Sequence, residues 1–245
     1  MLRLEGLSCG YGNMIAVSDL DLRVENMDIL ALIGANGAGK TSTLMAIAGH
    51  VSINSGRIFV ADEDITELSP EERVEMGIAV VPEGRRIFKN LTVDENLVMG
   101  GYCRPKSAYG TNRDKVYDHF PVLAERANQL AGTLSGGEQQ MLAISRALMS
   151  EPRLLLVDEL SLGLMPKAVD LCYNVLEKLR ANGMTILLVE QGTERAMAVS
   201  DYVCVLETGQ KVLLEISKQA MQNPLLIESY LGINADSKKE GQPVG

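Results

Sequence analysis

The sequence contains no tryptophan, and aromatic residues make up 4% of its 245 positions. Leu, Ile, Val, Ala and Met must therefore fill the interior. Cysteine is also scarce: Cys9, Cys103, Cys172 and Cys204 are scattered, with no C-x-x-C spacing. That pattern suggests neither a zinc site nor a disulfide framework, and it fits reduced thiols in a cytosolic protein. No apolar stretch reaches the length of a membrane span, and the opening "MLRLEGLSCGYG" lacks the apolar region of a signal peptide. Work at a membrane would require docking on proteins that cross it. Positive charge is in the minority, 23 Lys+Arg against 32 Asp+Glu, for a net charge of -9. This balance argues against binding a nucleic-acid backbone as the main task. There is no internal repeat and no low-complexity tract.

What is present is a chain 46% hydrophobic and 22% charged, suited to one large globular domain or a core with a small appended lobe. The apolar runs "ILALIG", "GIAVVP", "RLLLVDE" and "MTILLVE" are short and continuous, as strands buried on both faces are. Helical patterns lie between them. After Pro166, Val169, Cys172, Tyr173, Leu176 and Leu179 recur at helical spacing as a core stripe, and Gly183 can cap the end. Strands alternating with helices predict a parallel α/β sheet. The first thirty residues alternate instead and predict antiparallel strands. "YVCVLETGQKVLL" reads as a hairpin turning near Thr208-Gly209. Residues from about 88 to 150 read as a helical insertion, broken by a loop around "CRPKSAYGTN". Ser69 with Glu72 behind Pro70, and Thr92 with Glu95, have capping-box spacing.

The segment "GANGAGKT", Gly34 to Thr41, follows the run "ILALI" and fits G-x-x-x-x-G-K-[ST]. A strand ending at Ile33 and a helix from about Lys40 to His50 would aim loop amides and a helix N-terminus at one spot, suited to an anion. Glycine allows close backbone approach, Lys40 would neutralise phosphate charge, and Thr41 would offer a hydroxyl to Mg²⁺. "RLLLVDE" adds Asp158 for the metal and Glu159 as general base toward an attacking water, at a strand end where ligands gather in open α/β sheets. "LSGGEQQ" is a second candidate anion site. Ser135 and Glu138 form a capping box for a helix running to Leu148. Gly136 and Gly137 in its first turn cost about 1 kcal/mol each in helix propensity, which suggests a bare N-terminus kept for phosphate. Two such sites for one triphosphate suggest a dimer, with each nucleotide between the loop of one chain and "LSGGE" of the other.

In that order, GANGAGKT, LSGGEQQ and LLLVDE resemble the ATP-binding subunits of ABC transporters over nearly the whole chain. The stretches "VPEGRRIFKNLTVDENL", "LSGGEQQMLAISRALM", "SLGL", "LLVEQ" and "VLETGQ" resemble the LivF-type ATPases of branched-chain amino-acid importers. The resemblance implies a P-loop NTPase with a RecA-like core, an N-terminal antiparallel β subdomain and an inserted α-helical subdomain. It implies an ABC domain over residues 1–233, and the polar composition of 234–245 reads as a disordered tail. It implies ATP and Mg²⁺ as ligands, with nucleotide contacts from Gly34, Ala35, Asn36, Gly37, Ala38, Gly39, Lys40, Thr41, Ser42 and Asp158. Leu134, Ser135, Gly136, Gly137 and Glu138 would face a partner's nucleotide, Tyr11 would stack on adenine, and Ser161 to Leu164 would cross the dimer interface. Implied partners are a second ATPase subunit (or a second copy), two transmembrane permeases and, through them, an extracytoplasmic solute-binding protein, with no nucleic acid. The implied location is the cytoplasmic face of the cell membrane.

The sequence departs from the general ABC pattern at several positions. Glu83 stands where a glutamine usually follows the third core strand, and a carboxylate there could ligand Mg²⁺ or orient water. Arg85 and Arg86 would offset its charge, contact a permease, or form a solvated pair. Gln191 replaces the usual switch histidine; it can donate to a γ-phosphate but cannot become cationic. Leu160 and Gly192 replace a common proline and asparagine. His50 and His119 sit at no motif and read as structural or surface residues. Two alternatives remain in view: a nucleotide-binding regulatory half beside a more active partner, and the ATPase of a related urea or amide importer. A soluble relative acting on nucleic acid or the ribosome is disfavoured by the acidic balance and the lack of sustained heptads between Lys40 and Ser135.

Overall fold

The computed structural model describes residues 1–191 and 193–223. The chain opens with two long strands, β1 (Leu2–Tyr11) and β2 (Met14–Val24), paired antiparallel as their alternation predicts. β3 (Ile29–Ile33) is buried throughout and leads through the glycine loop into α1 (Lys40–Ile47). α1 stops three residues short of the expected His50. Gly49 adopts φ 85, and the amides of Gly49 and His50 bond back to Ala46 and Met45, a glycine-terminated helix end. β4 (Ser52–Val60) and the short β5 (Glu63–Asp64) complete a sheet of order β2-β1-β4-β5.

α2 (Pro70–Glu75) carries the Ser69–Glu72 capping box and ends before β6 (Ile78–Val81). Buried Arg73 of α2 donates to the carbonyls of Ala46 and Ile47 at 2.6 and 3.0 Å. This cation at the C-terminal end of α1 steadies the helix that bears Lys40. Then come α3 (Val93–Gly100), capped by Thr92 and Glu95, α4 (Tyr109–His119), α5 (Pro121–Glu125) and α6 (Gly136–Leu148). The loop expected over residues 103–112 is shorter than predicted, because Tyr109–Asn112 form the first turn of α4. Tertiary contacts outweigh the weak local propensity there: buried Asn112 donates to the Met149 carbonyl, and the Tyr109 hydroxyl donates to Asp94 at 2.8 Å.

β7 (Leu154–Asp158), α7 (Pro166–Ala181), β8 (Thr185–Glu190) and α8 (Thr193–Val199) follow. β9 (Tyr202–Glu207) and β10 (Gln210–Ile216) form the expected hairpin across Thr208 and Gly209, both at positive φ, and α9 (Ser217–Ala220) closes the described chain. The larger sheet has the order β10-β9-β3-β8-β7-β6, parallel except for the edge strand β10. Side chains alternate along it between two cores. Ile29, Ala31 and Ile33 face a cluster with α3–α7. Leu30 and Leu32 face a second cluster with β1, β2, β4 and α1. Burial on both faces explains why these strands read as continuous apolar runs. No helix among the described residues is long and apolar enough to cross a membrane. The chain is an α/β P-loop NTPase fold with an antiparallel sheet packed on a parallel core.

Candidate functional site

Four strand ends converge on one edge of the parallel sheet. The glycine loop follows β3, Glu83 follows β6 by one residue, Asp158 ends β7 and Gln191 follows β8. Ile33 pairs with Glu190, and Asp158 with Val189, so these ends lie in register. This is the carboxyl edge where open α/β sheets bind ligands.

The loop is shaped by its glycines at two positions. Gly37 has φ 81, with nothing within 4 Å of where a Cβ would project, so its backbone face is bare. Gly39 has φ 98, and a Cβ there would meet the Val17 Cγ2 at 2.6 Å. Lys40, buried, donates from Nζ to the carbonyls of Gly34 and Ala35 at 2.9 and 3.0 Å. Two of its three N–H bonds thus draw the loop into a ring, leaving the third for an incoming acceptor. Burial pulls the ammonium below its ordinary pKa, while Glu159, Asp158 and Glu190 work in the other direction. Ala35 and Asn36 are exposed, Ala38 is buried beneath the loop, and Ser42 is half-buried.

Asp158 is fully buried. Its Oδ1 accepts from the Thr41 hydroxyl at 3.1 Å, and its Oδ2 has no hydrogen-bond partner among the described residues. Burial pushes its pKa up to about 6; the Thr41 bond and Lys40 pull down, and Glu159 and exposed Glu83 push up further. Glu83 is therefore close enough to be felt at Asp158. Glu159 is half-buried in a left-handed backbone, φ 46, with its amide bonded to the Val189 carbonyl. That bond fixes the residue against β8. Gln191 is exposed at the end of β8, and Gly192 lies outside the described residues.

Residue-level reading of the sequence passed over Glu190. It is buried, with its carboxylate accepting from the Ser161 amide and hydroxyl, both at 3.0 Å, and from the Tyr173 hydroxyl at 2.9 Å. Burial raises its pKa against these three bonds. The network ties the Ser161–Leu164 loop and α7 to β8. Tyr173 had the spacing of a core residue, and nothing local distinguishes a core tyrosine from one whose hydroxyl meets a carboxylate.

The second glycine motif has different surroundings. Ser135 caps α6 by accepting from the Glu138 amide, and Glu138 returns a bond to the Ser135 amide at 2.8 Å. Leu134 is buried beneath the helix start, whereas Ser135 is exposed. A Cβ on Gly137 would lie 2.7 Å from the Ala168 Cβ, and one on Gly136 would lie 3.2 Å from the Arg85 guanidinium. The two glycines thus serve close packing as well as an open helix tip. Tyr11, 51% exposed, ends β1 opposite exposed Met14, a surface ring rather than a core contact. Nearer the helical segment, a groove of about 300 Å³ is lined by Val74, Arg86, Phe88, Met99 and Arg146.

The sequence matches the ABC transporter family model over residues 17–161. It is 46% identical to the high-affinity branched-chain amino acid transport ATP-binding protein BraG of Pseudomonas aeruginosa, covering 95% of this chain and 100% of that one. It is 36% identical to the probable branched-chain amino acid transport ATP-binding protein LivF of Archaeoglobus fulgidus, covering 95% and 99%. The fold superposes on the ADP conformation of an ATP-binding cassette of an ABC transporter with TM-score 0.84 and 26% identity, over 95% of this chain and 99% of that one. A glycine loop ringed by Lys40, a buried carboxylate opposite its threonine and this shared sequence lead to one conclusion: the chain belongs to the ABC transporter family, as one of its ATP-binding subunits.

Proposed function

We propose that this chain energises an importer of branched-chain amino acids by binding and hydrolysing ATP as one half of a nucleotide-sandwich dimer. The observation that carries this reading is the Lys40–Thr41–Asp158 constellation: a ring-shaped loop, a hydroxyl and a buried carboxylate oxygen that lacks a partner. The solute class rests on the likeness to the two transport proteins named above.

The loop amides of residues 34–39 and the start of α1 cradle the phosphates, and Lys40 places a charge on them. Tyr11 offers its exposed ring to adenine. Mg²⁺ fits beside Thr41 and Asp158, since Oδ2 of Asp158 is otherwise unsatisfied, and Glu83 is a third candidate ligand. One carboxylate and one hydroxyl supplemented by phosphate oxygens are typical of this ion, which supplies charge neutralisation on the phosphoryl group. Glu159 accepts a proton from the attacking water, and Gln191 donates a hydrogen bond to the γ-phosphate. Leu134 to Glu138 and the Ser161–Leu164 loop face the nucleotide of the second subunit.

The remaining assembly follows from the same reading. The ABC domain spans residues 1–233, with its helical part at about 88–150 inserted between β6 and β7. The groove lined by Val74, Arg86, Met99, Arg146 and exposed Phe88 receives a cytoplasmic segment of a permease. The subunit then sits on the cytoplasmic face of the membrane, with the permeases bringing in an extracytoplasmic solute-binding protein.

The test is Glu159→Gln against Lys40→Ala. Glu159→Gln should keep ATP affinity, lose on the order of 10²–10⁴ in turnover and accumulate as an ATP-bound dimer on size-exclusion chromatography with light scattering. Lys40→Ala should lose nucleotide binding. Normal turnover of Glu159→Gln with its partners present would overturn the base assignment. The solute is checked by purifying the intact transporter and titrating its binding protein with leucine, isoleucine, valine and urea.

A further inference from the structure

Arg85 occupies an unusual backbone. Gly84, Arg85 and Arg86 are three consecutive residues at positive φ, 71, 68 and 44. Left-handed backbone is unfavourable for a non-glycine residue, and here two such residues are adjacent. The tight turn, closed by the Arg86 amide on the Gly84 carbonyl at 2.7 Å, sends the Arg85 guanidinium between the tip of α6 and the Ser161–Leu164 loop. Its Nη1 donates to Gln139 Oε1 at 3.3 Å, and its Nη2 donates to the Gly163 carbonyl at 3.4 Å. It lies over Gly136, where any Cβ would come within 3.2 Å of both terminal nitrogens. The next residue is held at the far end of the same helix, where Arg146 donates to the Arg86 carbonyl at 2.7 Å.

Electrostatics alone does not account for this placement. Among the described residues Arg85 makes no ion pair, and it sits at the positive end of the α6 dipole. What the position provides is a planar fork that bonds two separate segments at once.

We infer that Arg85 is a positioning residue for hydrolysis: it locks the Glu83 segment, the α6 tip and the Ser161–Leu164 loop into one unit. Glu83 belongs to the chain's own nucleotide site, and the other two segments face the site of the second subunit, so Arg85 links the two halves. The inference rests on the sandwich-dimer reading. Arg85 touches neither the glycine loop nor Asp158, so the two functions separate experimentally.

The experiment compares Arg85→Ala and Arg85→Lys in the full chain, assembled with its transport partners. Both should lower kcat on the order of 10- to 100-fold, the penalty of misplaced reacting groups, with KM for ATP within about twofold of the parent. Lysine should not rescue, because a point ammonium reaches one acceptor and not both. In a Glu159→Gln background, Arg85→Ala should also reduce the fraction of ATP-trapped dimer. Parental kcat in Arg85→Ala, with or without a lower melting temperature, would reduce the contact to packing and overturn the inference. Full rescue by Arg85→Lys would overturn it too, by leaving charge as the only requirement. If Glu159→Gln alone traps no dimer, the sandwich reading fails, and the turnover comparison still decides whether Arg85 positions the site.

Discussion

Asp158 combines two demands that conflict in the absence of a cation. It is wholly inside the protein, yet the proposed metal site needs it charged. Burial raises its pKa to about 6, from the ordinary aspartate value of 3.8, so in nucleotide-free protein the folded state takes up a proton before the unfolded chain does. The ionised carboxylate is thus a cost above pH 6, relieved as pH falls through 6 and fully relieved below the unfolded value. Between about pH 7 and pH 5 this contributes roughly 1 kcal/mol of added stability. Urea unfolding in EDTA should therefore show the parent gaining that much more than Asp158→Asn on acidification. Equal gains would mean that the carboxylate is solvated or already compensated. Glu190 shows the limits of single residues as signals: the sequence marks it only as the last residue of an apolar strand, and its three bonds come from Ser161 and Tyr173, brought together by the fold.

At the scale of elements, helix starts were the most legible feature, because capping is local chemistry. Ser69–Glu72, Thr92–Glu95 and Ser135–Glu138 all form reciprocal caps. The buried strands were equally plain, since both faces are covered and no alternation dilutes the run. β4 and β5 were not anticipated: β4 exposes much of its first half and owes its pairing to β1. The first turn of α4 was lost for a similar reason, its support coming from Asp94 and Met149. Function was legible where glycine is expensive, and α6 shows why. Gly→Ala inside a helix ordinarily stabilises by about 1 kcal/mol. At Gly137 the added methyl would meet the Ala168 Cβ at 2.7 Å on the neighbouring α7, too close without a shift between the helices. Gly137→Ala should thus destabilise, by about 1–3 kcal/mol of overpacking, whereas at Gly136 the methyl meets the flexible end of Arg85. Denaturant midpoints of the two variants test this. A stabilised Gly137→Ala would show that α6 and α7 are free to separate.

For the whole molecule, the question is how the work divides between the two halves of the proposed dimer. The Glu83 and Gln191 departures suit a subunit that binds nucleotide and leaves hydrolysis to its mate. Three observations favour an active site instead. Thr41 is bonded to Asp158, Glu159 is fixed by its amide on β8, and Lys40 holds the loop in a ring. None of the three depends on a histidine at position 191, and glutamine keeps a donor there. Proton removal from water is assigned to Glu159, so a hydrogen-bonding residue suffices at Gln191. A transporter carrying Glu159→Gln in this subunit alone should then lose about half its turnover if the two sites contribute equally and act independently, and more than half if they fire in concert. The measurement is ATP hydrolysis and solute uptake in proteoliposomes, beside the reciprocal variant in the other ATPase position. Full uptake with this subunit altered, and none with its mate altered, would assign the chemistry to the mate and leave this chain as the nucleotide-gated half of the dimer.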